Sequence, residues 1–170
     1  MDIKCRASGL VPNAVVIVAT VRALKMHSGK FKVIAGKPLD PGLTQENLEA
    51  VSKGSENLEK QIENMAYFGI PVVVAINRFA SDTDAEIKLI KEVSLKAGAV
   101  SACVSDIHAK GGDGGIEMAK AVVTACEKPN HFKFLYPLDL PIKEKIETIA
   151  KKIYGADGVI YLPAAEKAIK

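Results

Sequence analysis

The chain has 170 residues, 48% of them hydrophobic and 25% charged, which is enough to bury the core of one globular domain. Lys and Arg outnumber Asp and Glu by 23 to 20, but the basic residues are scattered through helical segments without a run or exposed aromatic companions, which argues against a nucleic-acid partner. Three cysteines far apart, Cys5, Cys103 and Cys126, exclude a disulfide framework and fit a reducing cytoplasm; no apolar segment reaches the roughly 20 residues that a bilayer demands, and "MDIKCRASGL" has no signal-peptide apolar region, so no membrane partner is expected.

In chain order, Asn13 to Thr20, "NAVVIVAT", is the first apolar run, and its β-branched residues suit a strand covered on both faces by helices. Leu48, Val51, Leu58, Ile62 and Met65 then recur at spacings of three, four or seven, one stripe of a helix that Gly69 can terminate. Pro71 to Asn77, "PVVVAIN", is a second strand, followed by Thr83-Asp84-Ala85-Glu86, a capping-box pattern that opens a helix running to about Ala97. Ala99 to Val104, "AVSACV", is a third strand, with Cys103 expected to be buried, and the turn "AKGGDGG" leads from it into a helix with Ile116, Ala119, Val122, Val123 and Cys126 on one apolar face. Gly111, Gly112, Gly114 and Gly115 are expected to form a tight turn at a helix starting near Asp113, where small size admits a ligand or a neighbouring backbone. Asp139-Leu140-Pro141 opens a last helix carrying Ile142, Ile146, Ile149 and Ile153; Gly155 closes it before the short apolar run "VIYL", and the whole reads as a packed helical and short-strand appendage. Strands alternating with helices of this length imply a mainly parallel α/β sheet with helices on both faces, in a single domain over residues 1–170.

Parallel sheets bind ligands beyond the carboxyl ends of their strands, so "TVRALKMHSG", "NRFASD" and "SDIHAKGGDGG" are the stretches to weigh. Asn77 can offer an amide donor and acceptor to a purine edge, but the fourth position of "NRFA" is Ala80, where a guanine reader needs a carboxylate; the alternative is an Asn that ends its strand by bonding its own turn. Phe79 is either a stacking surface for a flat ligand or a ring tucked under the next helix. Neither G-x-x-x-x-G-K-[ST] nor G-x-G-x-x-G occurs, and "AGKPL" at Ala35 to Leu39 imitates a phosphate loop only by its Gly-Lys. His27, His108 and His131 are isolated, so no metal site is expected, and no set of nucleophile, base and orienting acid is visible.

Several of these stretches taken together resemble the formate–tetrahydrofolate ligase family, also called formyltetrahydrofolate synthetase. The resemblance rests on "DIKCRASGLVPNAVVIVATVRALKMHSG", "ENLEAVSKGSENLEKQIEN", "FGIPVVVAINRFASDTDAEI", "AKGGDGG" and "IAKKIYGADGV", in that order and over nearly the whole chain. It implies a fold related to P-loop ATPases and an ATP-dependent ligase in the cytoplasm, using ATP with Mg to join formate and tetrahydrofolate into 10-formyltetrahydrofolate through formyl phosphate. It also implies that the family's phosphate loop and formyl-phosphate-binding arginine lie upstream of these residues. The chain is therefore expected to be a middle fragment, inactive alone and holding none of these substrates tightly. Its partners would be the ligase's remaining segments, in a homo-oligomeric whole. The runner-up reading is a non-catalytic binding or assembly module.

The resemblance further implies a pteridine slot between an aromatic after "NR" and a tryptophan just before "AKGG". Those positions here are Phe79 and His108; Ala80 stands where the family usually shows proline, and Val104, where it tends to have leucine, would be an apolar wall. His108 offers less stacking area than an indole, so weaker folate affinity is expected. Asn77 is assigned to the nucleotide side or to holding the loop.

Overall fold

The computed structural model describes residues 1–34 and 36–169. Ala35, where "AGKPL" begins, lies outside the described residues. The chain divides into two compact units, Pro12–His131 and Met1–Val11 with Phe132–Lys170.

The first unit is built on three parallel strands, β1 (Val15–Ala19), β2 (Val72–Asn77) and β3 (Ser101–Ser105), in the order β1-β2-β3. The register runs from Val15 opposite Val72 to Ala19 opposite Ile76, and from Val73 opposite Ser101 to Asn77 opposite Ser105. Paired residues share a face, so Ile17, Val72, Val74, Ile76, Ala102 and Val104 form one apolar surface. Over it lie α2 (Val21–His27), α3 (Leu48–Ala66) and α4 (Asp84–Lys96), which contribute Val21, Leu24, Val51, Leu58, Ile62, Ile87 and Ile90 to the same core. Each such buried Val, Leu or Ile side chain contributes about 1.5–3 kcal/mol. Gly54, midway along α3, is a close-approach position: a Cβ there would strike the Leu24 carbonyl of α2.

Central β2 is buried from Val72 to Ile76, as its unbroken apolar run requires. β1 departs from the expected cover on both faces: Val16 and Val18 are 42% and 66% exposed, and α6 (Ile116–Cys126) packs on the second face mainly against β2 and β3. That helix starts at Ile116 rather than near Asp113, after a 3-10 turn over Gly111–Gly115. Its expected apolar stripe is also corrected: Ile116, Val123 and Cys126 are exposed, and Ala125 is its buried residue. Small side chains suffice where a short helix lies close on a sheet. Cys103 is buried, as its run indicates.

The second unit contains α1 (Lys4–Ser8), α7 (Ile142–Lys152) and α8 (Pro163–Ile169). Arg6 ties it together, pairing with Asp2 at 2.6 Å, donating to the Tyr136 carbonyl and lying 3.9 Å from the Phe134 ring centroid. Lys143 of α7 pairs with Glu166 of α8 at 2.6 Å. The short strand expected at "VIYL" does not form; residues 159–162 lead irregularly into α8, and Ile160 and Leu162 are exposed.

The least expected core feature is polar. Lys25 and Glu86, at 1% and 0% side-chain exposure, pair at 2.7 Å between α2 and the start of α4. Lys25 also donates to the Gln45 and Leu43 carbonyls, and Glu86 accepts the Asn47 N–H and the Thr83 N–H of the capping box. Burial pushes the Glu86 carboxyl up, but hydrogen bonds from Lys25, Asn47 and Thr83 and the Lys25 charge outweigh it, so the net direction is downward.

Since a depressed carboxylate stabilises the fold above its unfolded pKa, this contribution is present at neutral pH and lost as pH falls through the lowered value. Lys25→Met strands a buried carboxylate and should lower unfolding free energy by about 3–5 kcal/mol in urea, whereas Lys25→Met with Glu86→Gln should recover at least half. A single variant within about 1 kcal/mol of the parent would show that the pair is not buried as described.

Candidate functional site

Beyond the carboxyl ends of β2 and β3 lies a cleft of about 540 Å³, within the range of small-molecule sites. Asn77, Arg78, Phe79 and Ala80 line it from the β2 side, and Asp106, His108 and Ala109 from the β3 side.

The β2 side is a short loop held in shape by its own acid. Arg78 N–H donates to the Ser105 carbonyl at 3.2 Å, extending the ladder one residue past the strand. The buried Asp82 carboxylate then accepts the Phe79 N–H at 2.9 Å while Asp82 N–H returns to the Phe79 carbonyl at 3.0 Å. Asn77 takes no part in this closure: its side-chain amide makes no hydrogen bond among the described residues. The strand-terminating role open to Asn77 falls to Asp82 instead. Arg78 pairs with Asp84 at 3.0 Å, and Thr83 caps α4.

So constrained, Phe79 is 40% exposed rather than tucked under α4. Arg22, from the first turn of α2, lies 4.8 Å from its centroid without lining the cleft, so a cation steadies the ring while the cleft keeps access to it.

On the β3 side, the chain turns through α5 (Ile107–Lys110), which presents His108 at the surface. Asp106 N–H donates to the Gly114 carbonyl, and a Cβ on Gly114 would collide with the Asp106 carbonyl. Gly114 thus allows a neighbouring backbone, not a ligand, to come close; Gly115 is buried against Ile107, and Gly111 has φ +60°. Gly111, Gly112, Gly114 and Gly115 do not line the cleft. Asp106 pairs with Lys110 at 2.8 Å, and that hydrogen bond holds its carboxyl below the usual range.

Of the sequence-derived candidates, the cleft brings together Asn77, Phe79, Ala80 and His108. Val104 is not among its lining: it stands opposite Ile76 in the ladder, and that shared face turns it into the core under the helices. Sequence reasoning missed Arg22, Arg78, Asp82 and Asp106. A signal existed for Asp82, which stands three residues after Phe79 at a loop end, but none marked Arg22, whose partner lies 57 positions away.

Comparison with known proteins adds an independent finding. A family profile described as formate–tetrahydrofolate ligase matches residues 1–170. A formate–tetrahydrofolate ligase of Desulforamulus reducens is 56% identical over 170 residues, covering 100% of this chain and 30% of the relative. One of Roseiflexus castenholzii is 52% identical over 168 residues, 99% of this chain and 30% of the relative. A cytoplasmic C-1-tetrahydrofolate synthase of Spodoptera frugiperda is 54% identical over 169 residues, 99% of this chain and 18% of the relative. The chain therefore spans less than a third of the length of these relatives.

The loop geometry predicts a titration. Burial raises the Asp82 carboxyl, the Phe79 N–H opposes that, and the Glu86 charge raises it further, for a net upward direction. A raised carboxylate destabilises the fold fully above its folded pKa, and that cost shrinks as pH falls through the folded value and is gone below the unfolded one. The Phe79 amide resonance should shift on acidification with a midpoint above the ordinary aspartate value; a midpoint at or below it would contradict the loop closure described.

Proposed function

The chain belongs to the formate–tetrahydrofolate ligase family, and we propose that its residues supply the folate-side wall of an ATP-dependent ligase that joins formate to tetrahydrofolate through formyl phosphate. The observation that carries this reading is the meeting of Phe79, Ala80 and His108, from two strand ends, in one cleft of about 540 Å³.

In this reading the pteridine enters between the Phe79 and His108 rings. Arg22 and the Asp82 closure hold Phe79 in place before the ligand arrives, so little ordering remains to be done on binding. His108 adds a smaller stacking face, and Ala80 leaves the rim open. Asn77 lines the same cleft and so would lie beside the same flat ligand. These side chains bind and orient; none is placed as nucleophile or base. For the phosphoryl half of the reaction, the sequence carries no phosphate-loop motif. The described residues also include no group of three or more His, Cys, Asp or Glu that could hold a metal ion.

Calorimetric titration of the purified chain with tetrahydrofolate tests the slot. Phe79→Ala should raise Kd about ten-fold, from loss of about 1–2 kcal/mol of buried ring area and stacking, while His108→Trp should lower it. The chain alone should neither cleave ATP nor form 10-formyltetrahydrofolate. Unchanged tetrahydrofolate affinity in Phe79→Ala, or turnover by the 170-residue chain, would contradict the proposal.

A further inference from the structure

We infer that the open face and outer edge of β1 receive a strand and its adjoining helix from ligase polypeptide lying outside these 170 residues. This docking surface follows from the packing of the first unit and from family membership, and is independent of what occupies the cleft.

In the parallel ladder the Val15 N–H donates to the Pro71 carbonyl at 2.9 Å, and the register carries that pattern along every second residue. Val15, Ile17 and Ala19 therefore turn their backbone groups toward β2, while the N–H and C=O groups of Val16 and Val18 point outward, along an edge that no described strand pairs with. The same two residues place their side chains on the second face, opposite Ile17 in the core, and both stand exposed. Open edge strands are ordinarily blunted by a charge, a proline or a bulge. β1, "VVIVA", has none of these and keeps unbroken register. It reads as a strand meant to be covered on both faces, as central β2 is.

Helix α6 supplies a wall beside this apolar floor. Glu117 reaches Lys91 of α4 at 3.8 Å, and α4 packs on β3, so Glu117 marks the flank of α6 turned to the β3 edge. At about 3.6 residues per turn, Ala119, Val123 and Cys126 fall roughly opposite Glu117, on the flank turned toward β1, and all three are exposed. The stripe that the sheet leaves uncovered thus faces the valines that α6 leaves uncovered. A second helix laid beside α6 would bury both.

The occupant has two demands to meet. A strand alone would pair the edge and leave the valine side chains bare; a helix alone would cover the side chains and leave their backbone groups unpaired. A second copy joined edge to edge through β1 would pair the backbone but leave an apolar floor twice as wide between two α6 helices. A strand with its adjoining helix, the repeating unit of a parallel sheet, meets both demands. Since these residues span less than a third of the length of their relatives, most of a ligase lies outside them and can supply it.

Amide hydrogen exchange at Val16 and Val18, followed in the 170-residue chain and in a complete ligase that contains it, tests the assignment. In the chain alone both amides should exchange about 100-fold faster than the Ile17 amide, which bonds to β2. In the complete ligase they should be protected as Ile17 is, at any dilution. Val18→Lys should leave the unfolding midpoint of the chain within about 2 °C, because the side chain is exposed, and lower that of the complete ligase by about 5 °C or more, because a charge would be buried. Rapid exchange at both valines in the complete ligase, or Val18→Lys tolerated equally in both proteins, would overturn the inference. A loss as large in the chain alone would show that β1 is already covered there and would overturn it too. Protection that vanishes when the complete ligase is diluted to its monomer would put a second copy on β1 in place of the strand and helix, and would likewise overturn it.

Discussion

The buried pair of Lys25 and Glu86 is the constraint on which the cleft end of the sheet depends. Two charges removed from water are tolerated only where nearly every lone pair and proton is matched. Meeting that requirement fixes four pieces of chain at once: α2 through Lys25, the segment at 43–45 through its carbonyls, the start of α3 through Asn47, and the start of α4 through Thr83 and Glu86. Hydrophobic contact alone would let these elements slide, since apolar burial is not directional. A hydrogen-bonded ion pair in low dielectric fixes their register. Because Asp82 and Phe79 immediately precede the Thr83 cap, fixing α4 also fixes the loop that exposes the Phe79 ring.

Helix α2 acts on that loop twice. Lys25 reaches the base of α4 from within the core, and Arg22, one turn earlier, lies on Phe79 from outside. The two cations share one side of a short helix, and the apolar residues Val21 and Leu24 seat it on the sheet. Position on the sheet therefore becomes position of the ring. The β3 side is held by different means, a backbone contact between Asp106 and Gly114 that tolerates no side chain. Two independently braced walls make the cleft a preformed site, the arrangement that spends least of a ligand's binding energy on ordering the protein.

Much of the fold was legible because it is written in periodicity. The three strands, the α3 stripe and the Thr83–Glu86 capping box follow from patterns over a few residues, and they stand where those patterns indicate. The α6 face failed because several of its apolar residues stand exposed, and β1 failed for the complementary reason that α6 packs mainly on β2 and β3 and leaves Val16 and Val18 open. Composition shows what could be buried, not whether a neighbour exists to bury it. Lys25 was legible in principle, since it sits on the stripe Val21, Leu24, Lys25, Ser28 that α2 turns inward, but a lysine on such a stripe reads as an interruption until its partner 61 positions on is known. For the cleft, Phe79 and His108 were reached through family resemblance. Asp106 required the register of β2 against β3, which no local pattern specifies.

The central claim is that a pterin ring lies between Phe79 and His108 at the carboxyl ends of β2 and β3. Intermolecular nuclear Overhauser contacts between tetrahydrofolate and the selectively labelled chain test it most directly. The account predicts contacts from the pterin portion to both the Phe79 and His108 rings and none to Val104; contacts to Val104, or to neither ring, would contradict it.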